Sequence, residues 1–148
     1  MPQQPFGEIF MAFATNDDIM TYAPEVFDQG VEDWTDELGL AEVDVANLVQ
    51  IRWYNKFHSR QNYDKTKLTD TQWTRATVYR ALFAHIMPKL STFRPEGDPF
   101  REQIIFYRER FEEEMDIQFN LGIEYDENDD GTVDDSEVEI FRQNRLFR

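Results

Sequence analysis

The chain has 148 residues, 41% of them hydrophobic, and its 30 acidic side chains against 15 basic ones give a formal net charge of -15. With thirteen Phe, six Tyr and three Trp, this composition predicts one compact domain with a real core, with room for an appended arm. So acidic a surface repels phosphates, which argues against DNA binding by counterion release. The absence of cysteine excludes disulfides, zinc-thiolate sites and thiol nucleophiles from these residues.

The first residues, MPQQPFGEIFMAF, lack the basic start and long apolar run of a signal peptide. No window reaches the roughly 20 apolar residues that cross a bilayer. We therefore expect a soluble protein, made in a cytoplasm, with no membrane partner.

An extended lead-in, residues 1–14, precedes the first predicted helix. Thr15 can cap this helix, and Asp18 can reach back as the second half of a capping box. The helix should stop before Pro24, because the residue before a proline disfavours helical geometry. A short turn to Gly30 follows, and Trp34 is the expected anchor of the acidic stretch 31–39.

Three longer helices follow, each with one apolar stripe at spacings of three and four residues. The first runs from Ala41 to Phe57, the second opens at a Thr69–Gln72 capping box with Pro88 in its last turn, and the third starts at Asp98–Pro99. In the first helix the stripe is Ala46, Val49, Trp53 and Phe57, widened by Val45 and Leu48. In the second helix it is Ala76, Tyr79, Phe83, Ile86 and Leu90. In the third helix it is Phe100, Ile104, Tyr107, Phe111, Met115 and Phe119.

The outer face of the third helix is charged, which indicates a solvated surface first and a partner-facing surface second. The residues are Arg101, Glu102, Arg108, Glu109, Arg110, Glu112, Glu113 and Glu114. Together these patterns predict an all-α fold: a small bundle of three long helices and one or two short ones, with an acidic turn and an extended C-terminal arm. We expect a helical domain over residues 1–122, and the acidic loop and arm over residues 123–148.

The stretch YDENDDGTVDDSE, residues 125–137, has the spacing of an EF-hand calcium loop. Carboxylate and amide oxygens recur at alternate positions, glycine stands at the sharp turn, and a glutamate closes the loop. The predicted Ca²⁺ ligands are Asp126, Asn128, Asp130, Thr132 through its carbonyl, Asp134 and Glu137, with Gly131 at the turn.

Two alternatives remain open for this stretch. Asp, Asn and Gly also favour a tight turn that binds no metal. If calcium binds, Gly122 before the loop and the short sequence after it favour a structural clip over a sensor. The residues after the loop, Val138, Ile140 and Phe141, fit a short helix and an alternating strand about equally well.

The segment FRQNRLFR, residues 141–148, reverses the charge of the chain. It interleaves Phe141, Leu146 and Phe147 with Arg142, Arg145 and Arg148. A frayed terminus is one interpretation. A docking arm is the other, because exposed aromatic residues and arginines are enriched at interface hot spots.

Catalytic signals are weak in this sequence. His58, in a polar loop, and His85, on an apolar helix face, are the acid/base candidates near neutral pH, and His85 is better explained as a satisfied core residue. No GxSxG, phosphate-binding glycine loop or HExxH motif is present. We therefore expect a protein that is not an enzyme.

Several stretches resemble the head-to-tail adaptor proteins of tailed bacteriophages, also called connector or head completion proteins. FATNDDIMTYAP is similar to the short first helix that follows a YAT-x-x-D start in that family. IRWY, FREQIIFYRERFEEEMD, YDENDDGTVDDSE and the final RLFR extend the likeness over most of the chain.

The resemblance implies a virion protein of the neck, made in the host bacterial cytoplasm, that forms a ring of about twelve copies beneath the portal. The ring would extend the DNA channel, pass DNA without specific binding, and present a platform to the stopper or tail protein. In the family the C-terminal arm commonly docks on the portal, which implies anchoring roles for Phe141, Leu146, Phe147 and Arg148. The alternative function is a calcium-binding regulator with the acidic loop as its sensor.

Overall fold

The computed structural model describes residues 12–57, 63–91 and 98–126, and the backbone of residues 138 and 139. These residues form an all-α bundle, as the sequence predicts, together with a small two-stranded sheet that was not predicted. Helix α1 is Asn16–Tyr22; α2 joins Thr35–Val49, Gln50–Tyr54 and Asn55–Phe57; α3 joins Thr74–Arg80, Ala81–Ile86 and Met87–Leu90; α4 is Pro99–Leu121. Short 3₁₀ turns are Pro24–Asp28, Lys65–Lys67 and Asp70–Trp73, and the strands are β1, Ile123–Glu124, and β2, Val138–Glu139.

Two predicted helix starts are confirmed by their caps. The Thr15 N–H donates to the Asp18 carboxylate at 2.8 Å, which satisfies a backbone donor at the start of α1. The Asp98 carboxylate accepts the Phe100 N–H at 3.1 Å, with Pro99 at the first helical position of α4. Local sequence is therefore sufficient to place both starts.

Two other predicted starts are wrong. Helix α2 begins at Thr35, six residues before the predicted Ala41, because the Asp33 carboxylate accepts the Thr35 N–H at 2.9 Å. The Thr69–Gln72 capping box does not form: a 3₁₀ turn occupies Asp70–Trp73. The Gln72 amide instead donates to the Gly122 carbonyl at 2.8 Å and accepts the Glu124 N–H at 3.0 Å, so it ties the 3₁₀ turn before α3 to β1.

The core is centred on α3, which packs against both α2 and α4. The predicted stripe residues are buried or partly buried wherever their side chains are described, and the side chain of Phe57 lies outside that part. Helix α3 also buries a second side through Val78, Leu82 and Met87, each 0% exposed. It is therefore the central element of the bundle.

Helices α2 and α3 each contain a π-helical segment, Gln50–Tyr54 and Ala81–Ile86. A π turn accommodates an extra residue and so changes which side chains face inward. In α2 the consecutive residues Trp53 and Tyr54 are each 1% exposed, which a regular single stripe does not predict.

Helix α4 ends at Gly122, whose φ of 113° suits glycine, and the chain turns there into β1. Strand β1 pairs antiparallel with β2, with Ile123 opposite Glu139 and Glu124 opposite Val138. On the other edge, Tyr125 bridges to Leu68. Ile123 and Tyr125 belong to the core cluster, so the chain beyond Gly122 starts inside the packed body.

Candidate assembly surfaces

Two paired strands, β1 and β2, flank the acidic loop in the sequence. Of its predicted calcium ligands, Asp126 alone is described; it is 8% exposed, and its N–H donates to the Lys67 carbonyl at 2.8 Å. Asn128, Asp130, Thr132, Asp134 and Glu137, with Gly131 at the turn, lie outside the described residues. Of the two predicted continuations after the loop, the strand is present at Val138–Glu139.

A cluster of aromatic rings supports the base of this loop. Tyr125 contacts Trp53 with ring centroids 5.5 Å apart, Tyr54 at 5.4 Å and Tyr63 at 6.3 Å. The Tyr125 hydroxyl accepts the Asp64 N–H at 3.1 Å, and the Tyr63 hydroxyl donates to the Ala46 carbonyl at 2.7 Å. Burial, together with Tyr125 and Asp64, raises the pKa of Tyr63. Tyr125, the residue before the first predicted ligand, is therefore held in a firmly packed cluster.

The predicted docking arm lies outside the described residues, so nothing in the fold tests Phe141, Arg142, Arg145, Leu146, Phe147 or Arg148. The sheet fixes the last described residue before it. Glu139 is the residue opposite Ile123, one position after Gly122. Glu139 therefore lies near the C-terminal end of α4.

The outward side of α2 carries an apolar row that the sequence analysis overlooked. Leu40, Val43 and Ile51 are 53%, 46% and 61% exposed. With Asn47, also exposed, they fall at spacings of three and four residues, which places them on one side of the helix. The sequence signal that could have revealed this row is a second apolar stripe at helical spacing. It marks α2 as a helix with apolar residues on two sides.

Helix α4 carries a second apolar row, set among acidic residues. Phe106, Ile117 and Leu121 are 47%, 45% and 65% exposed. Between them, the Arg110 guanidinium lies 4.9 Å from the centre of the Phe106 ring and 3.2 Å from the Glu113 carboxylate. The predicted charged face is therefore a mixed apolar and acidic surface.

One residue of the predicted solvated face is buried. Glu114 is 5% exposed; one carboxylate oxygen accepts from the Gln118 amide at 2.8 Å, and the other lies 3.8 Å from the Arg75 guanidinium. These groups line a polar cleft of about 250 Å³ with Tyr22, Gln72 and Thr74. The solvated assignment of Glu114 is wrong because position 114 lies at the edge of the stripe that faces α3.

His85 is satisfied, as predicted, although its side chain is 22% exposed. Its Nε2 lies 2.8 Å from the Asp44 carboxylate, which also accepts from Arg80 Nε at 2.9 Å. Partial burial opposes ionisation of Asp44, but the hydrogen bonds from His85 and Arg80 outweigh it and lower the pKa of this carboxyl. The group joins α2 to α3; the other histidine, His58, lies outside the described residues.

Neither a metal-binding cluster nor a membrane-spanning helix is present among the described residues. Within residues 12–57, 63–91 and 98–126, no three acidic or histidine side chains converge on a common metal position. Among the same residues, no helix combines the length and the apolar character needed to span a bilayer.

Comparisons with known proteins return no match: no protein-family model, curated protein or solved structure is similar to this chain.

Proposed function

We propose that this chain is a structural virion protein, a head-to-tail adaptor that assembles as a ring under the portal of a tailed bacteriophage. The observation that carries the proposal is the pair of exposed apolar rows on α2 and α4. Each row exposes three large apolar side chains by 45% or more. Large exposed apolar side chains grouped on one side of a helix are candidates for an interaction site in a soluble protein.

A ring requires two different surfaces on each subunit, because a head-to-tail contact joins one patch to another. The α2 and α4 rows meet this requirement. Helix α3 lies between the two helices, which contact each other through Arg52: its guanidinium is 3.1 Å from the Asp116 carboxylate and 4.4 Å from the centre of the Phe119 ring. The α2 row of one copy would then cover the α4 row of the next.

The charge distribution fits this role. A ring of subunits with a formal charge of -15 each repels the DNA backbone, so the genome passes through its channel with little adhesion. The basic aromatic arm, residues 141–148, supplies a local grip on the portal, and the opposite rim is left to the stopper or tail protein. The site of action is then the virion neck, after synthesis in the bacterial host.

The test is the molar mass of the full chain by size exclusion with light scattering, alone and with the portal protein of the same virus. We expect co-elution with portal as a multimeric complex. The Val43→Asp variant, which places a charge in the α2 row, should fold normally and give no multimer. Its matched control is Glu32→Asp, an exposed position outside both rows. A wild-type chain that stays monomeric with portal contradicts the proposal.

A local calcium clip is a second proposal for the acidic loop, and the paired strands favour it over the sensor. Sensor EF-hands open by changing the angle between flanking helices, whereas this loop is flanked by β1 and β2. Calcium bound at Asp126 to Glu137 would hold the strand ends together and stabilise the native state by mass action.

Thermal unfolding in calcium and in chelator tests the clip. We expect a higher melting temperature in calcium for the wild type, and no difference for a variant that combines Asp126→Ala with Glu137→Ala. Equal melting temperatures for the wild type in both solutions would contradict the calcium clip and favour a tight turn that binds no metal. Apolar surface newly exposed at micromolar calcium would instead support the regulator.

A further inference from the structure

The outer face of α4 combines apolar and acidic side chains in a pattern that suits a basic, aromatic partner. Phe106, Ile117 and Leu121 are separated by eleven and four residues, which places them on one side of the helix. Glu102 and Glu109 are exposed on the same side, four residues before and three after Phe106. This face, the α4 outer face, therefore offers apolar contacts flanked by carboxylates, and its one cation between Phe106 and Ile117, Arg110, is already paired with Glu113.

The chain itself contains a segment with the complementary chemistry. Residues 141–148 carry three arginines and three large apolar side chains in a protein that is otherwise strongly acidic. Arginine pairs with carboxylates through several donors, and aromatic side chains bury a large area at little cost in conformational entropy. Charge and apolar content thus match the arm to the α4 outer face.

The sheet brings the last described residue before this segment close to the C-terminal end of α4. Glu139 lies opposite Ile123 in an antiparallel pair, and Ile123 is two residues after Leu121, the last residue of α4. Eight extended residues span about 26 Å at about 3.3 Å each, and the rise of α4 from Leu121 to Phe106 is about 22 Å at about 1.5 Å per residue. The arm is long enough to follow the face to Phe106.

We propose that residues 140–148 pack along the α4 outer face of their own chain in the free subunit. A tether this short gives an effective concentration on the order of millimolar, which favours the arm of the same chain over the arm of a second copy in dilute solution. The docked arm covers the apolar row of α4 and withholds it from a neighbouring subunit. Release of the arm onto the portal, which rests on the function proposed above, would then expose this row for ring assembly.

The absence of cysteine from the native chain allows a clean disulfide test. In the full chain, Asn144→Cys is combined with Glu113→Cys, which is exposed near the middle of the α4 outer face. Neither change removes an apolar contact or an arginine. Under mild oxidation at micromolar protein we expect an intramolecular disulfide, seen by mass spectrometry as a monomer that has lost two hydrogens. The matched control pairs Asn144→Cys with Val43→Cys on α2 and should form at least tenfold less intramolecular disulfide.

Two outcomes overturn the proposal: no disulfide above the level of the control pair, or a disulfide that joins two chains. The first outcome would show that the arm does not dock on the α4 outer face. The second outcome would show that the arm of a neighbouring copy binds this face. Neither outcome decides whether the chain binds portal, so failure of this inference and failure of the proposed function are distinguishable.

A second measurement avoids engineered cysteines. Trypsin cleaves after Arg142 and Arg145, and docking should protect both bonds. Combining Glu102→Gln with Glu109→Gln removes two carboxylates from the face, for which we expect about tenfold faster release of the terminal peptides at low salt. The control combines Glu32→Gln with Asp36→Asn, the same change of charge at exposed positions that are not part of α4. Equal release rates for the two variants would contradict docking.

Discussion

Helices α3 and α4 are built from similar sequence patterns but hold different positions in the bundle. Each carries one predicted stripe of apolar residues at helical spacing. Helix α3 also buries Val78, Leu82 and Met87 on a second side, whereas α4 exposes Phe106, Ile117 and Leu121 on its other side. A second apolar row can therefore serve either a core or an interface, and the packing of neighbouring helices decides which.

The largest expected effect separates these two kinds of row within the free subunit. Leu82→Ala leaves a cavity at a side chain that is 0% exposed, and should lower the free energy of unfolding by about 2–5 kcal/mol. Ile117→Ala, at a side chain 45% exposed, should change it by less than about 1 kcal/mol. Urea unfolding of both variants measures the difference, and similar losses would show that the α4 row belongs to a core.

A smaller effect tests how α3 is joined to α2. Asp44→Asn weakens the hydrogen bonds from His85 and Arg80 and should cost about 1–2 kcal/mol at neutral pH. Because the folded-state pKa of Asp44 lies below 3.8, its contribution is fully present above that value. It is lost as the pH falls through the folded-state pKa.

The difference in stability between wild type and Asp44→Asn should therefore shrink below pH 3.8. Chemical unfolding at a series of pH values measures it, with Glu112→Gln as an exposed control that should change little. A difference that is constant down to pH 2 would contradict the assigned ion pairs.

The smallest expected effect on stability belongs to the α2 row. Val43→Asp changes a side chain that is 46% exposed and should alter the free energy of unfolding by less than about 0.5 kcal/mol. Its effect on assembly should be large, because a charge would enter the proposed contact between subunits. A variant that unfolds readily, or that assembles as well as wild type, would contradict the assignment of this row to the interface between subunits.

The sequence was sufficient for features set by local chemistry. The caps at Thr15 and Asp98 and the buried stripe of α4 follow from neighbouring residues. It was insufficient where a distant partner decides: Gln72 bonds Gly122 and Glu124 instead of capping a helix, and Glu114 is buried beside Arg75. The exposed Leu40, Val43 and Ile51 were readable as a second row, but their exposure depends on how α2 packs.

The candidate calcium ligands and the docking arm remain predictions, since Asn128 to Glu137 and Phe141 to Arg148 lie outside the described residues. Of the loop, the fold establishes that Asp126 is nearly buried and that β1 and β2 bring its flanks together. An arrangement of this kind depends on strand pairing between residues fifteen or so apart, which local propensity specifies poorly.

The most direct test of the central claim, that this is a subunit of a ring, is the molar mass of the wild-type chain by light scattering in the presence of its portal protein. We predict a complex that contains several copies of the chain, and its loss in the Val43→Asp variant. A wild-type chain that elutes at the mass of a single subunit, with or without portal, would contradict the claim.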